Sequence, residues 1–490
     1  MGSKLAEIIR ALGLLMVGLS LTAQDNNQYL FLDDISAEYA DYLLTANHIQ
    51  PDHPLQQPFT YNQVFSKDNK QDYYKLFKSY WSEYYGDSDA FILGLHVGNT
   101  FSNGTDLSSY RMESILGYQH GGLIALNRTR IFETYKNDPL FAGDLSESDS
   151  WLFGRVNDAF VDYQTDHNHL FIGKIDQNWG PVNTPSVVLS NNPYTYNKYL
   201  YNYSTRLLKL SIFFSQLETM HGNVYDYGKD TLFYYPKASK FLTGHRLDVS
   251  INDKLKMAFT EMAIYGGPDR QFQLEYLNPM ELYYGLQRND GVLMSGLWAA
   301  DFSYRPVVKT LVYGQFLLDD IILNNDPGVD DRERFPDRLG IYASVRQADF
   351  PYNGLLLDLS YTRIWNRTYQ TYSFWENYHY RAKSLGYPTV SSEELKFRYQ
   401  FWGHFPHYLS GDLVVGRYGA ADVTDIFFLN KEAFPIAPLT SAIEHKIKYG
   451  WFKIPQLRAF FEHSIRLETI SEQTSTHHLI SLSLDYTFLK

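Results

Sequence analysis

The sequence predicts a mainly β protein: a large antiparallel β-barrel that spans a membrane, with a small helical bundle before it. Three observations carry this. From Ala90 to the C-terminus apolar residues recur with period 2, whereas before it they recur at helical spacing. The polar face of these strands carries full charges, among them Lys396, Arg398 and Asp485. A water-filled lumen accepts such groups more readily than a packed core does. The chain also closes on an amphipathic strand, as outer-membrane barrels commonly do. In it Ile480, Leu482, Leu484, Tyr486 and Phe488 alternate with Ser481, Ser483, Asp485 and Thr487, and Leu489-Lys490 follow.

The first residues have the form of an export signal. Lys4 and Arg10 supply positive charge, Ala11–Leu21 is apolar, and Thr22-Ala23-Gln24 offers a small-residue cleavage point. The expected organisation is a signal peptide over 1–23, a periplasmic helical region over 24–89 and an outer-membrane barrel over 90–490. No later stretch reaches the roughly 20 apolar residues that a membrane helix needs. The chain of 490 residues contains no cysteine, which excludes disulfides and thiolate metal sites. Its formal net charge of −12 argues against a dedicated nucleic-acid binder. Aromatic residues make up 17%, with 41 Tyr. Tyr suits both a membrane interface and contact with sugar, so this abundance fits both.

The helical region divides into three. Ser36–Ala46 is rich in helix formers and sets Tyr39, Tyr42 and Leu43 on one face. Pro51, Pro54 and Pro58 end the helical pattern after it. Thr60 and Gln63 then have capping-box spacing and predict a short second helix. Lys70–Tyr85 places Tyr73, Leu76, Phe77, Tyr80, Trp81 and Tyr84 at helical spacing in one broad aromatic stripe. Three short helices cannot bury such stripes alone, so they are expected to pack on one another and on the barrel.

Beyond Ala90 the alternation is clear in Leu355–Thr362, where Leu355, Leu357, Leu359 and Tyr361 face one way, and in Leu395–Phe401. Trp151–Tyr163, Leu247–Ile251, Leu255–Ile264 and Leu297–Tyr304 are further strands. Gly104–Ser109, Asn137–Ser150, Tyr225–Ser239, Asn324–Asp337 and Asn366–Ser392 read as long loops. In a barrel, long loops usually face outside and short turns face the periplasm. No fixed-period repeat is visible, which argues against a propeller or solenoid.

One stretch organises the chain: Leu170–Tyr196, LFIGKIDQNWGPVNTPSVVLSNNPYTY. It starts as a strand and meets Asn178-Trp179-Gly180-Pro181, where pairing must stop or bend. Gly180 allows backbone angles a bulky residue would not, and Pro181 has no N–H to donate. The apolar run Val187–Leu189 leads to Ser190, Asn191, Asn192 and Pro193, which are turn formers. An indole beside amides can form a sugar-binding surface. The simpler reading of the same residues is a Trp anchoring a strand end, with the amides making a turn.

Other chemistry is weaker. His404 and His407 have a metal-like spacing, but Pro406 between them denies a helix, and a turn is the simpler reading. His477 and His478 point to opposite faces of a strand and cannot share an ion from that element. Asp326, Asp330 and Asp331 lack the alternating-oxygen spacing of an EF-hand. No Gly-x-Ser-x-Gly elbow is present. Glu275 and Glu281 could form an acid–base pair, although a constriction or turn inside the barrel explains them as well.

Ile172–Asn192, with its G-K-x-x-x-x-W-G-P core and later L-S-N-N, resembles the signature of the capsule assembly protein Wzi family. Val182 stands where that family usually has a second Gly, and the stretch before Ser190 is differently composed. The resemblance extends to the helical N-terminus and the barrel-like remainder. It implies an outer-membrane barrel of about 18 strands with a periplasmic helical bundle against one end, which could plug the barrel or dock a periplasmic partner. It implies a lectin-like, non-enzymatic role that attaches capsular polysaccharide or exopolysaccharide to the cell surface, with no cofactor and no metal. On this resemblance Asp176, Asn178, Trp179, Gly180, Pro181, Ser190, Asn191 and Asn192 either touch polysaccharide or shape the lumen. The expected partners are that polysaccharide, outer-membrane lipid and periplasmic export machinery. The alternatives are a channel for solutes or oligosaccharides, motivated by the charged inner face, and a hydrolase built on Glu275 and Glu281.

Overall fold

The computed structural model describes residues 28–66, 69–85, 89–103, 108–132, 153–226, 229, 231–278, 280–289, 293–320, 337–426 and 432–489. The export signal lies outside them, as do 137–150 and most of the loops expected at 104–109 and 324–337.

Among the described residues three helices come first: α1 (Ile35–Thr45), α2 (Tyr61–Phe65) and α3 (Asp72–Tyr85). The predicted capping box closes at α2, where the Thr60 N–H donates to Gln63 Oε1 at 2.8 Å. The strands follow as β1 (Asp89–Ser102), β2 (Ser108–His120), β3 (Leu123–Phe132), β4 (Phe153–Gln164), β5 (Asn168–Lys174), β6 (Lys198–Ser204), β7 (Leu208–Gln216), β8 (Met220–Asp226), β9 (Thr231–Ser250), β10 (Leu255–Gly267), β11 (Ser295–Tyr304), β12 (Thr310–Asp320), β13 (Arg338–Ala348), β14 (Leu355–Ile364), β15 (His379–Tyr380), β16 (Lys383–Ser384), β17 (Ser392–His404), β18 (His407–Tyr418), β19 (Thr440–Ile454), β20 (Leu457–Ile470) and β21 (Gln473–Leu489). Between β10 and β11 sit a 3-10 turn (Leu274–Leu277) and a short helix, α4 (Tyr283–Asn289).

Every pairing is antiparallel, and β21 returns to β1 with Asp485 opposite Gly98. β8 pairs only with the first half of β9, while β7 pairs with the second half, so the closed ring holds 18 strands. β15 and β16 form a small hairpin within the 365–391 loop. The stretch Tyr225–Ser239, expected as a loop, is instead the β8–β9 hairpin. β9 runs on past the barrel rim because β8 supplies the partner its backbone needs there.

Strand alternation is resolved as the charges required. Leu93, Phe259, Phe316, Leu359, Phe397, Leu413 and Leu484 point outward and are exposed. Their partners in the alternation point into the lumen and are buried there, as Asp358, Ser360 and Thr362 are in β14. A soluble sandwich would reverse this, so the apolar belt is the lipid-facing surface of a membrane barrel.

Short connections gather at one end, as at 165–167, 251–254 and 405–406, and the long ones at the other. The helices pack at the short-turn end, which in such barrels faces the periplasm. Their aromatic stripe meets the barrel there. Tyr39 and Tyr73 each set a ring edge-on to Trp402, at 5.0 and 5.2 Å between centroids. Arg305, in the β11–β12 turn, donates to the carbonyls of Leu44 and Thr45 at 2.7 and 2.9 Å, which satisfies the C-terminus of α1.

Candidate functional site: the lumen plug

Four carboxylates around the start of α1 fix the helices to the wall. Asp33 accepts from Arg128 and Arg130 at 3.0 and 2.6 Å. Asp34 pairs with Arg458 at 2.5 Å and Glu38 with Lys448 at 3.2 Å. Asp41 accepts from Arg346 at 2.6 Å, and the same guanidinium reaches Asp358 at 3.1 Å and Thr184 Oγ1 at 3.0 Å. The sequence showed charges on the strand faces but not that the helical region carries their counterions.

The 175–197 segment, between β5 and β6, folds into the lumen above this bundle. Its Asn178 exchanges both backbone hydrogen bonds with Gln57, and the two side-chain amides also meet, Asn178 Nδ2 donating to Gln57 Oε1 at 2.8 Å. Asn178 Nδ2 further donates to the Pro181 carbonyl at 3.0 Å, and its Oδ1 accepts from Ser186 N–H at 2.9 Å. Trp179 is 0% exposed. Its ring lies edge-on to Phe213 at 6.0 Å, and the Arg246 guanidinium sits 5.6 Å from its centroid. Arg246 is held in turn by Asp248 and Asp301 at 3.1 and 2.5 Å.

Gly180 is needed for space rather than for its backbone angle, because its φ lies outside the left-handed region. A Cβ there would meet Gln315 Nε2 at 2.7 Å. That amide donates to the Trp179 carbonyl at 3.0 Å and to Asp301 at 2.9 Å, so it cannot give way freely. Gly180→Ala is therefore expected to cost about 1–3 kcal/mol, read as a lower urea midpoint of the detergent-folded protein.

Val187–Leu189 form no strand but are fully buried. Their carbonyls support the loop above: Tyr369 OH donates to Val187 O, and Tyr378 OH to Val188 O at 2.8 Å. Ser190 is buried too; its N–H donates to Leu385 O at 2.8 Å and its hydroxyl to Gly386 O at 2.5 Å. Asn192 Nδ2 donates to Ser384 O at 2.9 Å. Pro181 is buried, and Asp176 and Asn191 are half-buried. The lumen is thus layered: helices, then the 175–197 segment, then the 365–391 loop. What space remains includes two adjoining cavities of ≈ 320 and ≈ 360 Å³ that share Glu38, Asn183, Lys448, Glu462 and Ser481.

Burial, with Asp158 and Asp33 nearby, raises the Asp176 carboxyl from 3.8 to about 7. A folded-state pKa above the unfolded one stabilises the fold fully below the unfolded value, and that contribution is lost as pH rises to the folded value. Relative to Asp176→Asn, the wild type is expected to lose about 1–3 kcal/mol of stability across that window, after allowance for partial exposure. Urea midpoints of both proteins at the two ends of the window measure it.

The remaining candidates are dispersed. His404 and His407 stack their rings at 5.7 Å in the β17–β18 turn. Among the described residues no group of three metal-ligating side chains occurs; Asp326, Asp330 and Asp331 lie outside those residues. Glu275 and Glu281 sit in the β10–β11 connection, which lies against the outer wall of the barrel. The reading of a constriction inside it is corrected by Tyr276 and Tyr283, which pack on outward-facing Tyr265 and Thr243.

The sequence profile described as "Capsule assembly protein Wzi" matches residues 50–402. The chain belongs to the Wzi family. The fold agrees with that of Wzi, an outer-membrane protein involved in group 1 capsule assembly in Escherichia coli and a carbohydrate-binding β-barrel. The two share 12% identity at a TM-score of 0.62, with 94% of this chain and 99% of that one covered. Pseudomonas aeruginosa OprD (12% identity, TM-score 0.44, coverage 81% and 95%) and Acinetobacter baumannii OccAB2 (9%, 0.48, 83% and 99%) are more distant likenesses. No curated protein sequence matches. Family and lipid-facing belt together make this chain an outer-membrane β-barrel of the Wzi family. The residues that hold its W-G-P segment, namely Gln57, Arg246, Gln315, Tyr369 and Tyr378, had no local signal, since all but Arg246 lie more than a hundred positions away.

Proposed function

We propose that this protein binds a capsular polysaccharide or exopolysaccharide at the cell surface and holds it there without chemical change. The observation that carries the reading is membership of the Wzi family over most of the chain. The packed lumen favours attachment over passage, because helices and two inward loops occupy the space a solute would need. On this reading the W-G-P and L-S-N-N residues shape the lumen and brace the 365–391 loop. The Asn178 and Asn192 amides are spent on internal contacts, and the indole is fully buried, so these groups are not offered to sugar.

The ligand is then met above them. Arg381 is exposed at the loop end, and its guanidinium lies 5.7 Å from the Tyr380 ring and 6.0 Å from Tyr194, on whose ring Arg155 also sits at 4.0 Å. An exposed guanidinium beside the half-buried Tyr380 ring suits an acidic sugar, offering a charge for its carboxylate and an apolar edge beside it. The test is binding of the detergent-folded protein to the host's own surface polysaccharide, measured by calorimetry for wild type, Arg381→Ala and Trp179→Phe. Saturable binding that Arg381→Ala weakens about tenfold, a change of about 1.4 kcal/mol, is the expected result. Absence of binding by folded wild type would overturn the reading, and steady conductance in a planar bilayer would replace it with a channel.

A further inference from the structure

The outer wall of the barrel is not apolar throughout. At β9–β10 the outward positions include Thr243, His245 and Glu261, with Glu261 directly opposite both His245 and Trp298. Leu255–Tyr265 is about the 9–11 residues with which a tilted strand crosses a membrane, so Glu261 stands within the span. Phe259, two positions nearer the periplasmic turn, is an exposed part of the lipid-facing belt, and so is Leu247. A bare carboxylate there would be costly.

The β10–β11 connection covers it. Tyr283 and Tyr284 N–H donate to Glu261 at 3.1 and 3.3 Å, and Trp298 Nε1 donates to it at 2.7 Å. Thr243 meets the Tyr283 hydroxyl at 2.9 Å, and His245 packs 4.3 Å from the Tyr283 ring. Phe272 lies edge-on to outward-facing Phe214 at 4.5 Å, and Tyr276 stacks on Tyr265 at 4.3 Å. Arg270 ties the two ends together by donating to Leu293 O at 3.1 Å.

While its inner side is satisfied, the outer side of this flap is apolar. Leu274, Met280 and Leu282 are 75%, 85% and 65% exposed, and Tyr284 lies beside them. This surface continues the belt, since Tyr284 contacts Trp298 at 5.6 Å and Trp298 is itself exposed on the wall. Glu275, Asn278 and Gln287 interleave with the apolar residues. Such a composition suits the headgroup–acyl boundary, where amphipathic segments lie about 5–10 Å deep.

We propose that residues 272–278 and 280–289 form a flap that folds down outside the barrel and rests on the lipid of the outer leaflet. Its occupant is lipid acyl chain, and Glu261 is the wall residue that docks it. The flap adds an interfacial anchor on one side of the barrel, a role separate from polysaccharide binding.

The chain has no cysteine, so single reporters are straightforward. Leu282→Cys and Met280→Cys would carry a bimane in full-length protein in phosphatidylcholine nanodiscs, where both faces meet buffer. Leu359→Cys on the belt and Asp253→Cys in a short turn give the lipid and water references. The expected result is loss of fluorescence at 282 and 280 with phosphatidylcholine brominated near the top of its acyl chains, as at 359, and little loss with iodide. Quenching by iodide as at 253 would overturn the proposal, placing the flap in water. Protection from both quenchers would also overturn it, since another protein surface would then be the occupant.

Discussion

Replacing Arg346 with Ala is expected to lower the stability of the folded barrel by about 3–5 kcal/mol. Arg346 is 0% exposed and holds two carboxylates that are themselves buried, Asp41 of α1 and Asp358 of β14, together with Thr184 of the inward segment. Its guanidinium also lies 4.8 Å from the Tyr313 ring. A buried pair is no guarantee of net stability, but removing one member leaves the others charged and without compensation. One residue therefore ties the helices, the wall and the plug. The urea midpoint in detergent should fall, and protease should reach residues 28–85 while the barrel stays folded. Combining Arg346→Met with Asp41→Asn and Asp358→Asn should recover most of the loss, because no uncompensated charge is then left inside. A loss below about 1 kcal/mol for Arg346→Ala would put it in the range of an exposed ion pair and remove its assigned role.

Trp179→Ala is expected to cost a similar amount, about 3–5 kcal/mol, as the loss of a fully buried aromatic side chain that neighbours cannot collapse to replace. Phe213 and Arg246 define two sides of its site, and both are fixed, the first by the wall and the second by Asp248 and Asp301. The indole N–H meets no acceptor among the described residues. Trp179→Phe should therefore keep most of the packing at a cost of about 1–2 kcal/mol. The two substitutions separate structure from recognition. If Trp179 braces the lumen, folded Trp179→Phe binds polysaccharide as wild type does, and only stability changes. If it is a sugar platform, binding falls while the urea midpoint stays near that of wild type.

Much of this architecture is legible in the sequence. The change of apolar period at Ala90, the charges on alternate positions and the closing Ile480–Phe488 strand define a membrane barrel, because each is a local property of the chain. The Thr60–Gln63 capping box and the aromatic stripe of α3 were legible for the same reason. Tyr225–Ser239 has the composition of a loop, and its pairing is invisible locally because its strand partner β8 stands outside the barrel period. Gly180 is required by the approach of Gln315, over a hundred positions later, rather than by its backbone angle, and no local pattern carries that approach.

Spacing within a few residues therefore encodes the barrel, its lipid-facing and lumen-facing sides, the three helices and the family signature. Tertiary structure alone decided where the W-G-P segment points, that Asp33, Asp34, Glu38 and Asp41 are the counterions of the barrel arginines and lysine, and that Glu275 and Glu281 lie outside the barrel. The physical reason is common to all three. Burial and pairing depend on which distant strands closure brings together, and no local pattern of residues encodes that distance.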